Sequence, residues 1–280
     1  MQFGLVGSEM CIRDRSSTMT DLKTLVQAAE EIAKIGGAHT LNYFKKEVEV
    51  ISKADDSPVT IADRETEMVI REEIEKRFPD HGIIGEEYGI TRPEASIQWV
   101  LDPIDGTKSF IHGVPLYTTL IGVMIYKEPM VGVINAPALD ECCVAGKGLG
   151  AYFNGKLCKV RETSDMQDAT LLVTEIKRFQ DVGKEEEFQD LMAKTKLHRT
   201  WGDAYGHMMV AIGRADIMFD PVLNLWDAAA LLPVVKEAGG VFSDVHGVET
   251  IHSGNGYSTN PHLHQELKAL FARHRAQKGE

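Results

Sequence analysis

Two carboxylates separated by a proline and an isoleucine, then followed at once by glycine and threonine, are the first residues here that could do chemistry. They lie in the stretch Trp99-Val-Leu-Asp102-Pro103-Ile104-Asp105-Gly106-Thr107-Lys-Ser-Phe110. Residues 99–101 read as the end of a buried strand that breaks into the acids. Pro103 fixes its own φ near about −65° and has no N–H, while Gly106 accepts backbone conformations that other residues avoid. Folded that way, Asp102 and Asp105 point at one spot and the Ile104 carbonyl can join them. Such a hard-oxygen set suits Mg²⁺ or Mn²⁺ rather than zinc.

Taken alone, Asp-Pro and Asp-Gly read equally well as turn chemistry after a strand. An Asp-x-Asp-Gly-Thr pattern would signal catalysis with aspartate as the nucleophile, but the spacing here is one residue longer. The alternating carboxylates of an EF-hand loop are also missing. Further acids flank predicted elements. Asp63 falls where an amphipathic helix begins, a place where a carboxylate satisfies free N–H groups. In Gly85-Glu86-Glu87-Tyr88-Gly89 two acids follow a strand, and in Trp226-Asp227-Ala-Ala-Ala the acid sits in the first turn of a buried helix. Asp203 reads as a helix N-cap and Asp220 as a strand-end turn, although either could pair with a cationic ligand. Neither a Cys-x₅-Arg phosphate loop nor a Ser/His/Asp set favouring a covalent route is visible.

These residues need elements to position them. Helical spacing from Thr20 predicts a helix that breaks at Gly36-Gly37. Residues 48–51 read as a short strand, and residues 53–57, which include Lys53, as polar and mobile. Apolar runs at 118–126, 130–135 and 141–145 with turns between them predict a largely antiparallel sheet. Polar residues 161–169 mark a boundary between an N-terminal α+β metal-binding sub-domain, residues 18–163, and a C-terminal α/β sub-domain, residues 164–280. Beyond it, strands at 170–174 and 215–219 alternate with helices at 184–194, 208–213 and 226–238, before a closing helix at 261–275. Residues 1–17 read as a non-native, loosely attached extension, since Gly4-Leu-Val-Gly-Ser-Glu-Met-Cys-Ile-Arg-Asp-Arg15 resembles translated sequencing-adapter DNA.

Composition narrows the function classes. The net charge is −12, from 30 basic and 42 acidic residues. That field opposes nucleic acid and anionic membranes, and an anionic substrate would need cations to approach. Cys11, Cys142, Cys143 and Cys158 show no Cys-x-x-Cys spacing, so reduced thiols in a cytoplasmic protein are expected. No run of about 18 apolar residues predicts a membrane span.

In order along the chain, Gly85-Glu86-Glu87, Asp102-Pro-Ile-Asp105-Gly-Thr107, and Trp226-Asp227-x-Ala-Ala with Gly239-Gly240 resemble the inositol monophosphatase family of Mg²⁺-dependent, lithium-sensitive phosphatases. The likeness runs from Thr20 to the C-terminal helix. It implies an α/β fold, a layered αβαβα sandwich of two sub-domains, assembled as a homodimer. It also implies two to three Mg²⁺ per site. Glu86, Asp102 and the Ile104 carbonyl would hold one, Asp102, Asp105 and Asp227 a second, and Glu86 a weaker third. Thr107 and Asp63 would orient and deprotonate the attacking water, N–H groups at Gly106 and Thr107 would receive phosphate, and Lys53 matches a mobile loop beside the metals. Asp220-Pro-Val-Leu-Asn-Leu-Trp-Asp227, Thr200-Trp-Gly-Asp203-Ala-Tyr-Gly206 and Thr107-Lys-Ser-Phe110 look like the histidinol-phosphatase branch. The expected activity is therefore hydrolysis of a small phosphate monoester, L-histidinol phosphate first, with Asp203 and Asp220 binding its cationic groups. Inositol or broad sugar phosphates are the alternative, and a non-enzymatic metal- or phosphate-binding module is a third possibility.

Overall fold

Leu22, Leu25, Ala29, Ile32 and Ala33 recur at helical spacing and are all buried, forming the inner face of α1 (Gly7–Thr40). The computed structural model describes the backbone of residues 7–47, 49–53 and 58–280, and the side chains of those residues from 21 onward, 58 and 59 excepted. Expectations for residues 1–6, Val48 and residues 54–57 lie outside the described residues. α1 begins inside the stretch read above as an extension, and it runs straight through Gly36-Gly37. A side chain at Gly36 would meet Ile70 at 2.7 Å, and one at Gly37 would meet Asn135 at 2.3 Å. These glycines allow close approach to α2 (Ile61–Arg77) and the sheet; they do not end the helix.

A short hairpin, β1 (Val50–Ser52) with β2 (Pro58–Thr60), precedes α2. The first large sheet is built from β3 (Gly82–Gly85), β4 (Gly89–Thr91), β5 (Ile97–Asp105), β6 (Thr118–Ile125), β7 (Glu128–Ala136), β8 (Glu141–Gly146), β9 (Gly150–Phe153) and β10 (Lys156–Leu157). Its spatial order is β10-β9-β8-β7-β6-β5-β3-β4. Every pairing is antiparallel except β3 with β5, so the expected largely antiparallel sheet is present. α3 (Thr107–Ile111) lies between β5 and β6.

The second sheet takes β11 (Thr170–Val173), β12 (Leu197–Arg199), β13 (Ile217–Asp220), β14 (Val241–Ser243) and β15 (Gly256–Thr259) in the order β12-β11-β13-β15-β14. Its first three strands are parallel, joined through α4 (Ile176–Asp181), α5 (Glu185–Lys194) and α6 (Asp203–Ala211). α7 (Leu225–Glu237) and α8 (Pro261–Lys278) complete the chain. α6 starts at Asp203, five residues before the apolar run at 208–213 that announced it, because polar Asp203 and small Gly206 open it.

The layers follow from where apolar faces meet. α1 and α2 cover one face of the first sheet through Ile32, Ile70, Trp99 and Val131. α6 and α7 lie between the two sheets, where Ala229, Ala230 and Met208 pack with Val100, Leu120 and Phe242. α4, α5 and α8 cover the far face of the second sheet through Phe179, Phe188, Leu267 and Phe271. The expected αβαβα sandwich is therefore the observed one. α7 sits unusually close to β6 and β7: a side chain at Gly132 would meet the Ala230 carbonyl at 2.1 Å, and one at Gly122 would meet Ala229 at 2.9 Å. That intimacy brings the first turn of α7 to the end of β5.

Candidate active site

β5 does not stop at Leu101. It stays extended through Asp105, with a register shift against β6 between Asp102 and Asp105. Such a shift frees the strand to re-aim its side chains, and both acids are buried here. The chain then turns at Gly106, whose φ of 81° lies in the left-handed region and caps α3. Asp227 arrives from the other side, at the third position of α7, where its Oδ2 accepts the Asn224 N–H at 2.8 Å. Ligand oxygens of Asp102, Asp105 and Asp227 all lie within 4.8 Å of one another.

Three acids so close in a buried place resist ionisation. Burial, then the charges of Glu86, Asp105 and Asp227, hold the Asp102 carboxyl well above its ordinary range. Asp105 is raised likewise by burial and by the Asp203 and Asp227 charges. Burial, with the charges of Glu86 and Asp220, lifts Asp227 to about 6. Asp102 Oδ1 is buried with no hydrogen-bond partner. An acceptor-only cluster with an orphaned oxygen fits a hard divalent cation, which would supply the missing positive charge. Asp102, Asp105 and Asp227 would hold it. Glu86 stands apart from this cluster, in the turn after β3, and its Oε1 accepts from Lys53 Nζ at 2.9 Å. Lys53 also donates to Glu87 at 2.7 Å. Burial alone would lower the Lys53 pKa, but its bonds to Glu87 and Glu86 and their charges raise it.

The sign of the resulting pH dependence can be stated. A carboxyl raised on folding favours the fold as the neutral acid, fully below its unfolded value and progressively less as pH climbs through the folded one. For Asp227, near 6, and Asp203, lifted to about 7 by burial and by Asp220 and Asp227, that window runs from about pH 4 to 8. Metal-stripped protein is thus expected to melt lower at pH 8 than at pH 5. At pH 8, Mg²⁺ at about a hundredfold excess over its dissociation constant should restore about 8 °C. Melting curves in chelator and in Mg²⁺ check this; a chelated protein whose Tm is flat or rises over that window would contradict it.

Asp63 occupies the third position of α2, as Asp227 does in α7. Its Oδ2 accepts from the N–H and the Oγ1 of Thr60, both at 2.8 Å, in a capping box. Its Oδ1 remains, 3.4 Å from Thr107 Oγ1. The Thr107 hydroxyl also lies 3.2 Å from the Ile104 carbonyl, so its single hydrogen serves one acceptor at a time. Burial lifts Asp63 to about 6; the Thr60 bonds oppose the rise and the Glu87 and Glu86 charges add to it. The helix-start role and the pairing with Thr107 therefore coexist on two oxygens of one side chain.

The two acids singled out for a substrate cation part company. Asp220 Oδ1 accepts from Thr174 Oγ1 at 2.6 Å and its Oδ2 lies 2.9 Å from His207 Nε2, so both oxygens are engaged inside the protein. Asp203 follows Gly202 with a φ of 54°. Its N–H donates to Thr174 Oγ1 at 2.8 Å. Its carboxylate makes no hydrogen bond or ion pair among the described residues, and its Oδ2 would lie 2.9 Å from a side chain at Gly106. The next N–H, of Ala204, donates to Asp105 Oδ2 at 2.7 Å and ties α6 to the end of β5.

Three supporting residues escaped the sequence reading. Glu67, wholly buried on α2, accepts the N–H groups of Glu87 and Tyr88 and the Arg71 Nε, and so fixes the turn that carries Glu86. Its only signal was the Glu67–Arg71 pair four residues apart. Thr174 and Ser258 had none. Ser258 Oγ lies 2.7 Å from His207 Nδ1, completing a Ser258–His207–Asp220 chain. No such set was expected, but it has no route to a substrate: Ser258 and His207 are both fully buried. His207 packs in the interior, held by Ser258 and Asp220.

The sequence pattern of the inositol monophosphatase family matches residues 21–280. This chain belongs to that family. The match leaves the stretch read as an extension outside it. The histidinol-phosphatase of Chlorobaculum parvum is 42% identical over 232 residues, covering 82% of this chain and 90% of its own. That of Streptomyces coelicolor is 36% identical over 261 residues, covering 89% and 97%. An inositol monophosphatase structure from Zymomonas mobilis superposes with a TM-score of 0.79 at 32% identity, covering 89% of this chain and 98% of its own.

Proposed function

We propose that the protein is a Mg²⁺-dependent phosphate monoesterase whose substrate is L-histidinol phosphate, hydrolysed to L-histidinol and phosphate by direct attack of water. The observation that carries the reaction class is the pairing of Asp63 and Thr107 beside three close-set, mutually repelling carboxylates, of which Asp102 is buried. Divalent cations held by Asp102, Asp105 and Asp227, with the Ile104 carbonyl and Glu86 contributing, would lower the pKa of water and neutralise phosphate charge. Everything else falls to the chain. Thr107 Oγ1 accepts a hydrogen bond from the water, donates its own to Asp63 Oδ1, and so passes a proton toward a carboxylate tuned close to neutrality. The first N–H groups of α3, around Gly106 and Thr107, have no carbonyl one turn back and are free for phosphate oxygens. Lys53 bridges Glu86 and Glu87, so its loop borders the same acids.

For the substrate, the weight rests on Asp203. Its free carboxylate stands over Gly106, beside the phosphate position, where the ammonium of an amino-alcohol phosphate would lie. Asp220 acts behind it, holding the Thr174 hydroxyl that receives the Asp203 N–H. Two relatives of high coverage are named for the same reaction.

The test is phosphate release in Mg²⁺ from L-histidinol phosphate and inositol 1-phosphate, side by side, for wild type and Asp203→Asn. A charge-assisted hydrogen bond contributes roughly 1.5–3 kcal/mol. The variant should therefore lose about 10- to 100-fold in kcat/KM on histidinol phosphate, mainly through KM, and change little on inositol phosphate. Equal losses on both substrates would remove Asp203 from recognition, and a wild-type preference for inositol phosphate would overturn the substrate.

A further inference from the structure

Histidinol phosphate carries two nitrogen groups, an ammonium and an imidazole, and Asp203 serves the first. Asp220, the other acid singled out for a cation, is spent on Thr174 and His207. A further acid stands at the same junction. The start of α6 is pressed onto the end of β11: a side chain at Gly202 would meet the Thr174 Cα at 2.3 Å, and the Thr174 hydroxyl accepts the Asp203 N–H at 2.8 Å. Glu175, next in the chain, therefore leaves this junction beside Asp203. The charges of Glu175 and Lys108 both bear on the Asp203 carboxyl, the first raising its pKa and the second lowering it.

Glu175 is the N-cap of α4, yet its side chain caps nothing. Its Oε2 instead reaches across to α3, 3.3 Å from Lys108 Nζ, with Arg178 Nη2 on the same oxygen at 3.8 Å. Lys108 is the second residue of α3, two beyond Gly106, whose turn faces Asp203 Oδ2. A four-carbon stem rooted in that turn thus ends at Glu175. All three charged side chains are substantially exposed, so their pairing contributes little to the fold and is readily exchanged.

We propose that Glu175 binds the imidazole of the substrate, taking it in exchange for the Lys108 ammonium; this rests on the histidinol phosphate reading. With the phosphate at the start of α3, an oxygen and three carbons separate phosphorus from the ring, a reach comparable to the Lys108 stem. The ammonium on the middle carbon then falls to Asp203 and the ring to Glu175. An imidazole offers an N–H in either protonation state, so a charge-assisted hydrogen bond to the carboxylate forms in both. Inositol phosphate brings only hydroxyls, which carry no charge with which to displace Lys108. The Lys108–Glu175 pair therefore selects against neutral substrates as well as receiving the cationic one.

The experiment measures phosphate release in Mg²⁺ by full-length wild type, Glu175→Gln and Lys108→Met. The substrates are L-histidinol phosphate, inositol 1-phosphate, and L-alaninol phosphate, which keeps the ammonium and lacks the ring. Glu175→Gln should lose about 5- to 10-fold in kcat/KM on histidinol phosphate, mainly through KM, and less than about twofold on the other two. Asp203→Asn, by contrast, should lose on both amines. Lys108→Met removes the rival cation, so the KM for histidinol phosphate relative to alaninol phosphate should fall about two- to threefold. A wild type that prefers histidinol phosphate, with Glu175→Gln losing equally on both amines or on neither, overturns the role of Glu175 alone. A KM ratio that holds or rises in Lys108→Met overturns the exchange. A wild type that prefers inositol 1-phosphate overturns the substrate reading and the imidazole site with it.

Discussion

Replacing Asp102 with Asn is expected to abolish turnover while making the metal-free protein melt higher. The two effects have opposite signs because they come from one cause. Asp102 is 2% exposed, its Oδ1 has no partner, and Glu86, Asp105 and Asp227 all oppose its ionisation. Without a cation it is a liability to the fold, and an amide of the same shape removes the charge while keeping a donor for Asp227. Each kcal/mol so relieved raises Tm by about 2–4 °C. With Mg²⁺ present the same carboxylate becomes a ligand, and losing it removes several kcal/mol of charge stabilisation, at least about 10³-fold in kcat. Three measurements decide: kcat in Mg²⁺, Tm in chelator, and the Tm gained on adding Mg²⁺, which should shrink in the variant. Retained activity would refute the metal-centred account; a lower Tm in chelator would show that Asp102 supports the fold by itself.

Much of the candidate site's geometry was legible because its residues obey local rules. Asp63 and Asp227 both sit at the third position of a helix, where an acid is expected for capping alone. The cap consumes one oxygen and fixes the rotamer, and the second oxygen is thereby aimed into the site. The Asp-Pro-Ile-Asp-Gly-Thr stretch was readable for the same reason, since its proline, glycine and acids have few backbone solutions. What stayed hidden depends on distant partners. Glycine pairs end helices and also let helices touch, and only Ile70 and Asn135, 34 and 98 residues away from the glycines they face, distinguish the two at Gly36 and Gly37. Asp220 and Asp203 look alike in sequence. Their separation into a buried anchor and a free carboxylate requires Thr174 and His207, which reach Asp220 only when β11, β13 and α6 have assembled.

The second large effect is expected at Asp63. An asparagine there can still accept the Thr60 N–H through its carbonyl, so the capping box and α2 survive and Tm should change little in Mg²⁺. What disappears is the proton acceptor facing Thr107. General-base loss of this kind costs about 10²- to 10⁴-fold in kcat with KM nearly unchanged. Thr107→Ala should show a similar loss, because in the proposed reaction its hydroxyl links Asp63 Oδ1 to the water. The double variant should then be little worse than either single one, since the two residues act as a unit. The pH profile gives a separate handle. Asp63 works as the anion, so wild-type kcat/KM should fall on the acid side of a pKa that burial places at about 6 and that bound cations pull lower. In Asp63→Asn that acid limb should vanish from the residual activity. Additive losses in the double variant, or an unchanged acid limb in Asp63→Asn, would assign the proton to another group and reduce Asp63 to a helix cap.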